Sequence, residues 1–159
     1  MTKIKNLTAL LTMSALLLPG LFLIGEVSAH GGAAGVVKER MELMKSMGDR
    51  MKQMGDMMKG KLPFDAASIA VSAGKIEKSA PEIVHLFPEG STYNPSEALP
   101  RIWEERERFD ALAEQMVREA GKLSDVAAGG DQRSTMVQFA RLGKTCSSCH
   151  TDFRKKQEN

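Results

Sequence analysis

Between Val37 and Met58, apolar and small residues recur at Val37, Met41, Met44, Gly48, Met51, Gly55 and Met58. The steps alternate between four and three residues, which keeps these positions on one stripe of an α-helix packed nearly parallel or antiparallel to its neighbours. A strand, whose side chains repeat every two residues, cannot use such a stripe. The first long helix is thereby committed to a bundle. A later segment repeats the idea with Ile102, Phe109, Leu112, Met116 and Leu123.

Glycine, proline and capping residues divide the chain into four helical stretches. The first is expected over residues 34–59, closed by Gly60 with Pro63 just beyond. Asp65 suits the N-cap of a second, running to about Ser79, and Pro81 breaks or kinks its continuation to Leu86. Pro88, Gly90, Asn94 and Pro95 make residues 87–97 the longest loop. A third helix is expected over 98–126, stopped by Gly129-Gly130, and Asp131 caps a fourth that reaches Lys156. Aromatic residues make up only 5% of the chain and no period-two alternation is present, so nothing argues for a sheet. The pattern predicts an all-α protein, an antiparallel four-helix bundle.

The first 29 residues read differently. Lys3 and Lys5 precede an apolar run over 7–24, and Val27-Ser28-Ala29 is a small-residue cleavage site. This is the layout of a signal peptide, residues 1–29, with a single domain over 30–159 exported to the periplasm. A retained membrane anchor is the alternative reading of the apolar run, but Pro19-Gly20 interrupts it, and no stable anchor is expected after cleavage. With 22 basic and 20 acidic residues interspersed, the chain lacks the basic stripe of a nucleic-acid binder.

Chemistry concentrates near the C-terminus, at Cys146-Ser147-Ser148-Cys149-His150. Covalent attachment of haem c needs two thiols for its vinyl groups and an adjacent imidazole for its iron. On a helix, positions i, i+3 and i+4 share a face, so Cys146, Cys149 and His150 point to one side. A structural zinc site wants four ligands, and the chain has no other cysteine; His30 and His85 are its only other histidines. A thioredoxin-like pair follows a strand, and none is readable. A disulfide across so short a loop constrains little. One haem c per chain, bound at Cys146 and Cys149 with His150 as proximal iron ligand, is the expected cofactor.

The run from Leu142 to Arg154 resembles the C-terminal helix of class II c-type cytochromes, the cytochrome c-prime family, which carry haem near the C-terminus. Arg40 with Met44, the run Leu86-Phe87-Pro88-Glu89-Gly90-Ser91, and Pro100-Arg101-Ile102-Trp103 resemble the family too. The resemblance spans essentially the whole of residues 30–159. It implies haem seated between helices near one end of the bundle. It also implies that the residue facing the open side of the iron lies four positions after an arginine of the first helix. Here that residue is Met44, after Arg40. Low-spin members of the family use methionine there as a second ligand, whereas many five-coordinate members carry another apolar residue. The resemblance further sets Arg40 and Arg154 beside haem propionates or the proximal imidazole, with ordinary solvated charge as the alternative; Trp103 is expected near the haem edge and Phe153 near the proximal side, or either as simple core.

Met44 is one of seven methionines between Met41 and Met58, and a methionine on such a stripe serves equally well as core filler. Met41, Met47 and Met51 are the neighbouring thioether donors. So dense a set of soft thioethers also suits Cu(I), as an addition to haem. His85 has no ligand set around it, and residues 104–108 read as a solvated helix face. Two functions follow. The first is periplasmic electron transfer through low-spin haem with His150 and Met44 as axial ligands. The second is capture of nitric oxide or carbon monoxide at an open distal face. No nucleophile–base constellation points to an enzyme. The expected partners are periplasmic redox proteins, with the chain a monomer or homodimer.

Overall fold

A computed structural model describes residues 33–156, so the expected signal peptide lies outside the described residues. Six helices follow in order: α1 (Gly35–Met58), α2 (Ala66–Ser79), α3 (Glu82–His85), α4 (Arg101–Glu104), α5 (Arg106–Ala128) and α6 (Gln132–Phe153). The four long ones, α1, α2, α5 and α6, form the bundle; α3 and α4 are single turns in the crossover from α2 to α5. Among the described residues no helix is long and apolar enough to cross a membrane.

The helix starts are built as the sequence suggests. The Asp65 carboxylate accepts the Ser68 amide at 3.0 Å, and the Asp131 carboxylate accepts that of Ser134 at 2.7 Å. Each satisfies an amide that the first helical turn leaves unpaired. Gly60 and Gly130 follow α1 and α5 with φ of 70° and 80°, a left-handed conformation that a side chain would resist.

The core runs along α2, α5 and α6. Ile69, Ala73 and Ile76 of α2 meet Phe109, Met116, Ala120 and Leu123 of α5, with Leu142 of α6 closing the cluster. Each large aliphatic side chain so buried contributes about 1.5–3 kcal/mol. The stripe expected in the third helix is therefore core: Ile102, Phe109, Met116 and Leu123 are buried and Leu112 is partly buried. Helix α2 packs along α5 and α5 along α6, whereas α1 leans mainly on α2 and keeps its backbone apart from α6.

Three expectations are corrected. The third helix is interrupted at Glu105, where φ of −119° and ψ of 46° leave the helical region, and it starts at Arg101 rather than Ala98. Pro100 is the reason for the later start, since the residue before a proline is driven toward extended backbone. Residues 97–99 instead pair with the end of α6: Leu99 N–H donates to the Phe153 carbonyl (3.0 Å) and Lys155 N–H to that of Glu97 (2.8 Å). The same pairing ends the fourth helix at Phe153, short of Lys156, with Arg154 extended and bridged to Ala98. Finally, the methionines of α1 divide by face. Met47, Met54 and Met57, which lie off the alternating stripe, are the buried ones, while Met41, Met44, Met51 and Met58 are only partly buried.

Candidate haem site

The stripe of α1 is the face turned toward α6 and the cleft. Near its C-terminal end α1 meets α6 closely: a Cβ placed on Gly55 would lie 3.5 Å from Phe139 Cζ, and one on Gly143 would lie 3.8 Å from Met51 Cε. Stepping back four residues on α1 thus corresponds to stepping forward four on α6, the signature of an antiparallel pair. Toward the other end the two helices separate around a cleft of about 620 Å³. That lies within the ~300–1,000 Å³ of cofactor and ligand sites.

Each wall of the cleft comes from a different element. Val37, Arg40, Met41, Met44 and Gly48 line it from α1, and Cys149, His150 and Phe153 line it from α6, with Arg154 just beyond. Phe87 and residues 95–98 of the crossover close one side, and Ile102 and Phe109 form the floor. At Gly48 an added Cβ would meet nothing within 4 Å, so the α1 wall is open there to a flat group. The donor chemistry fits haem c: two thiols free of any disulfide on consecutive turns of one helix and an imidazole one residue on, with Cys149 and His150 facing a largely apolar space.

Cys149 and His150 both reach the lining. Cys146 does not; it stands one turn earlier on α6, half-buried, with its thiol donating to the Leu142 carbonyl at 3.6 Å. Burial raises the pKa of both thiols. That of Cys149 is pushed up to about 11, with the neighbouring Cys146 and Asp152 adding to the effect of burial. Both are therefore neutral thiols at neutral pH rather than thiolates. His150 is held below the ordinary imidazole value, first by partial desolvation and then by the Arg154 guanidinium, with Glu97 opposing. A neutral imidazole is the form that can bind a metal.

The residues expected around the haem are distributed unevenly. Phe153 is buried on the lining and meets Phe109 edge-to-face, ring centres 5.3 Å apart. Arg154 lines the cleft while its Nε donates to Glu97 at 2.6 Å. Trp103 is not among the lining residues; its indole N–H donates to the Phe87 carbonyl at 3.0 Å. Arg40 lines the cleft, but its guanidinium turns away from the role expected of it. All five N–H donors are spent on the crossover: two on the Leu86 carbonyl, and the others on the Ser91 carbonyl, Ser91 Oγ and Ser96 Oγ. No donor remains for a propionate. His85 is exposed on α3, away from the lining.

Sequence reasoning missed Ser96 and Glu97 as parts of the site. Neither carries a local signal beyond lying in a loop. Their roles depend on Arg40 and Arg154, each more than fifty residues away along the chain.

Comparison with known proteins agrees with this geometry. Residues 35–154 match the family model described as Cytochrome C'. Cytochrome c-556 of Agrobacterium fabrum is 33% identical over 147 residues, covering 92% of this chain and 96% of its own. The solved cytochrome c prime from Shewanella frigidimarina is 30% identical with a TM-score of 0.72, covering 76% of this chain and 94% of its own. A nitric oxide complex of a mutant cytochrome c prime from Alcaligenes xylosoxidans is 27% identical with a TM-score of 0.68, covering 76% and 94%.

Proposed function

From the chain's membership of the cytochrome c′ family, to which it plainly belongs, we propose that it is a periplasmic electron carrier using a low-spin haem iron held by His150 and Met44. The family's cofactor is covalently attached haem c, one per chain. When bound, haem c supplies an iron that cycles between ferrous and ferric states. Cys146 and Cys149 hold it to α6, and His150, neutral at working pH, offers a ring nitrogen as proximal ligand.

The observation that carries the sixth ligand is register. The antiparallel steps that pair Gly55 with Phe139 and Met51 with Gly143 bring Met44 level with His150 when continued, and both residues line the same cleft. A thioether there closes the distal side, raises the potential and leaves little to rearrange as the electron moves. Val37, Phe87, Ile102 and Phe109 keep the surroundings apolar, which limits water near the changing charge. The signal peptide reading of residues 1–29 accounts for delivery to the periplasm, where soluble redox proteins are the partners. On this reading the chain turns over no substrate.

The test is the optical spectrum of the purified haem protein at neutral pH. The ferric form is expected to be low-spin with a methionine–iron charge-transfer band, and Met44→Ala is expected to abolish the band. A high-spin wild-type ferric spectrum would overturn the assignment. It would instead favour capture of nitric oxide or carbon monoxide, a reading supported by the nitric oxide complex of the Alcaligenes relative and by the open wall at Gly48.

A further inference from the structure

The crossover between α2 and α5 contacts both walls of the cleft. On the α1 side, Arg40 is buried, 6% exposed, and gives its five hydrogen bonds to Leu86, Ser91 and Ser96 at 2.7–3.2 Å. Its guanidinium also lies 3.8 Å from the Phe87 ring centre, a cation–π contact in a desolvated place. On the α6 side, Glu97 accepts from Arg154, and the backbone of 97–99 is hydrogen-bonded to Phe153 and Lys155. Between these attachments, Pro95, Ser96, Glu97 and Ala98 line the cleft. Ser96 belongs to both halves of the arrangement: its hydroxyl accepts from Arg40 and also from the Ala98 amide at 3.2 Å.

Helices α1 and α6 keep their backbones apart, and at this end a cleft lies between their side chains, so contacts from the crossover to both can set their spacing here. We propose that residues 86–98 are a brace, with Arg40 as its positioning residue, that fixes the separation of the Met44 wall from the His150 wall. The brace governs how firmly the distal side of the iron is closed. This rests on the reading that haem lies between those walls, and it deepens that reading by naming what holds them at the right distance. A planar fork with all five donors satisfied admits one geometry, which a lysine at the same position cannot reproduce.

The experiment compares the wild-type haem protein with Arg40→Gln, Arg40→Lys and the double variant Ser91→Ala/Ser96→Ala. Three quantities are read: the ferric spin state, the rate of carbon monoxide binding to the ferrous form, and amide exchange across 86–98. Arg40→Gln is expected to raise the high-spin fraction and to speed carbon monoxide binding roughly tenfold, the scale set by losing hydrogen bonds to a charged donor. Arg40→Lys and the serine double variant fall between it and wild type, and far-UV circular dichroism is unchanged. Faster amide exchange with unmoved spin state and carbon monoxide rate means a loop anchor only, and overturns the brace. If Arg40→Gln does not fold, the serine double variant decides on the same readouts. A wild-type protein that is already high-spin defeats Met44 ligation, not the brace. The carbon monoxide rate then decides alone: faster in the variants supports the brace, unchanged overturns it.

Discussion

The contact between α1 and α6 differs at its two ends. At one, Gly55 lets Phe139 approach and Met51 lies against Gly143, so the helices close on each other through side chains. At the other, Met41, Met44 and Gly48 face Cys149, His150 and Phe153 across the cleft, with the crossover spanning the gap. One pair of helices is thus packed at one end and open around a cleft at the other. The difference teaches that the same methionine-rich stripe is read by its surroundings: filler where a neighbour closes on it, available donor where none does.

The largest test removes the proposed attachment of haem. Replacing Cys146 and Cys149 together by serine is expected to eliminate covalent haem, seen as loss of the haem-stained band on a denaturing gel. A persistent band would detach the cleft from its assigned purpose. Next, the packed core and the solvated side of α1 are expected to respond unequally to truncation. Leu123→Ala, at a fully buried position of α5, should cost about 2–5 kcal/mol in urea unfolding of the haem protein. By contrast, Lys45→Ala on the exposed side of α1 stays within about 0.5 kcal/mol, its ion pair with Asp49 being solvated.

A smaller effect probes the closed end directly. A Cβ at Gly55 already reaches ordinary contact with Phe139, so Gly55→Leu overpacks the helix pair and should cost about 1–3 kcal/mol. Equal tolerance of leucine and alanine at this position would show that the end is not closed. A further effect belongs to the caps. Hydrogen bonds from Ser68 and Ser134 hold Asp65 and Asp131 below the ordinary carboxylate pKa. A depressed folded-state value means stabilisation that is complete above the unfolded pKa of about 4 and is lost as pH falls through the lower folded value. Asp131→Ala should therefore lower the thermal midpoint at pH 7, and the gap from wild type should shrink on acidification below about pH 4. A gap that persists unchanged to low pH would exclude the carboxylate as its source.

Much of this was legible because it is local. Asp65, Asp131, Gly60 and Gly130 act on their own helix ends, and the Cys146–His150 spacing needs only helical geometry to define a face. Four helices and the haem motif follow from such rules. What escaped depends on residues far apart. That Met47, Met54 and Met57 rather than the stripe are buried is decided by how α1 sits on the core, which no periodicity within α1 records. The early end of α6 reflects a bridge to Ala98, and the engagement of Arg40 reflects a loop about fifty positions downstream. An arginine beside a candidate site reads as a ligand for an acidic group until the acceptors that occupy it are seen.

The pairing of residues 97–99 with the end of α6 bears on lifetimes. Helix ends ordinarily open and close fastest, and a histidine in a last turn would share that fluctuation. Here hydrogen bonds between the crossover and Phe153 and Lys155 flank Arg154, so unwinding the turn that carries His150 strains or breaks them. On the proposed ligation, a bond from His150 to iron would be slow to lapse, because the short pairing holds the turn that carries it.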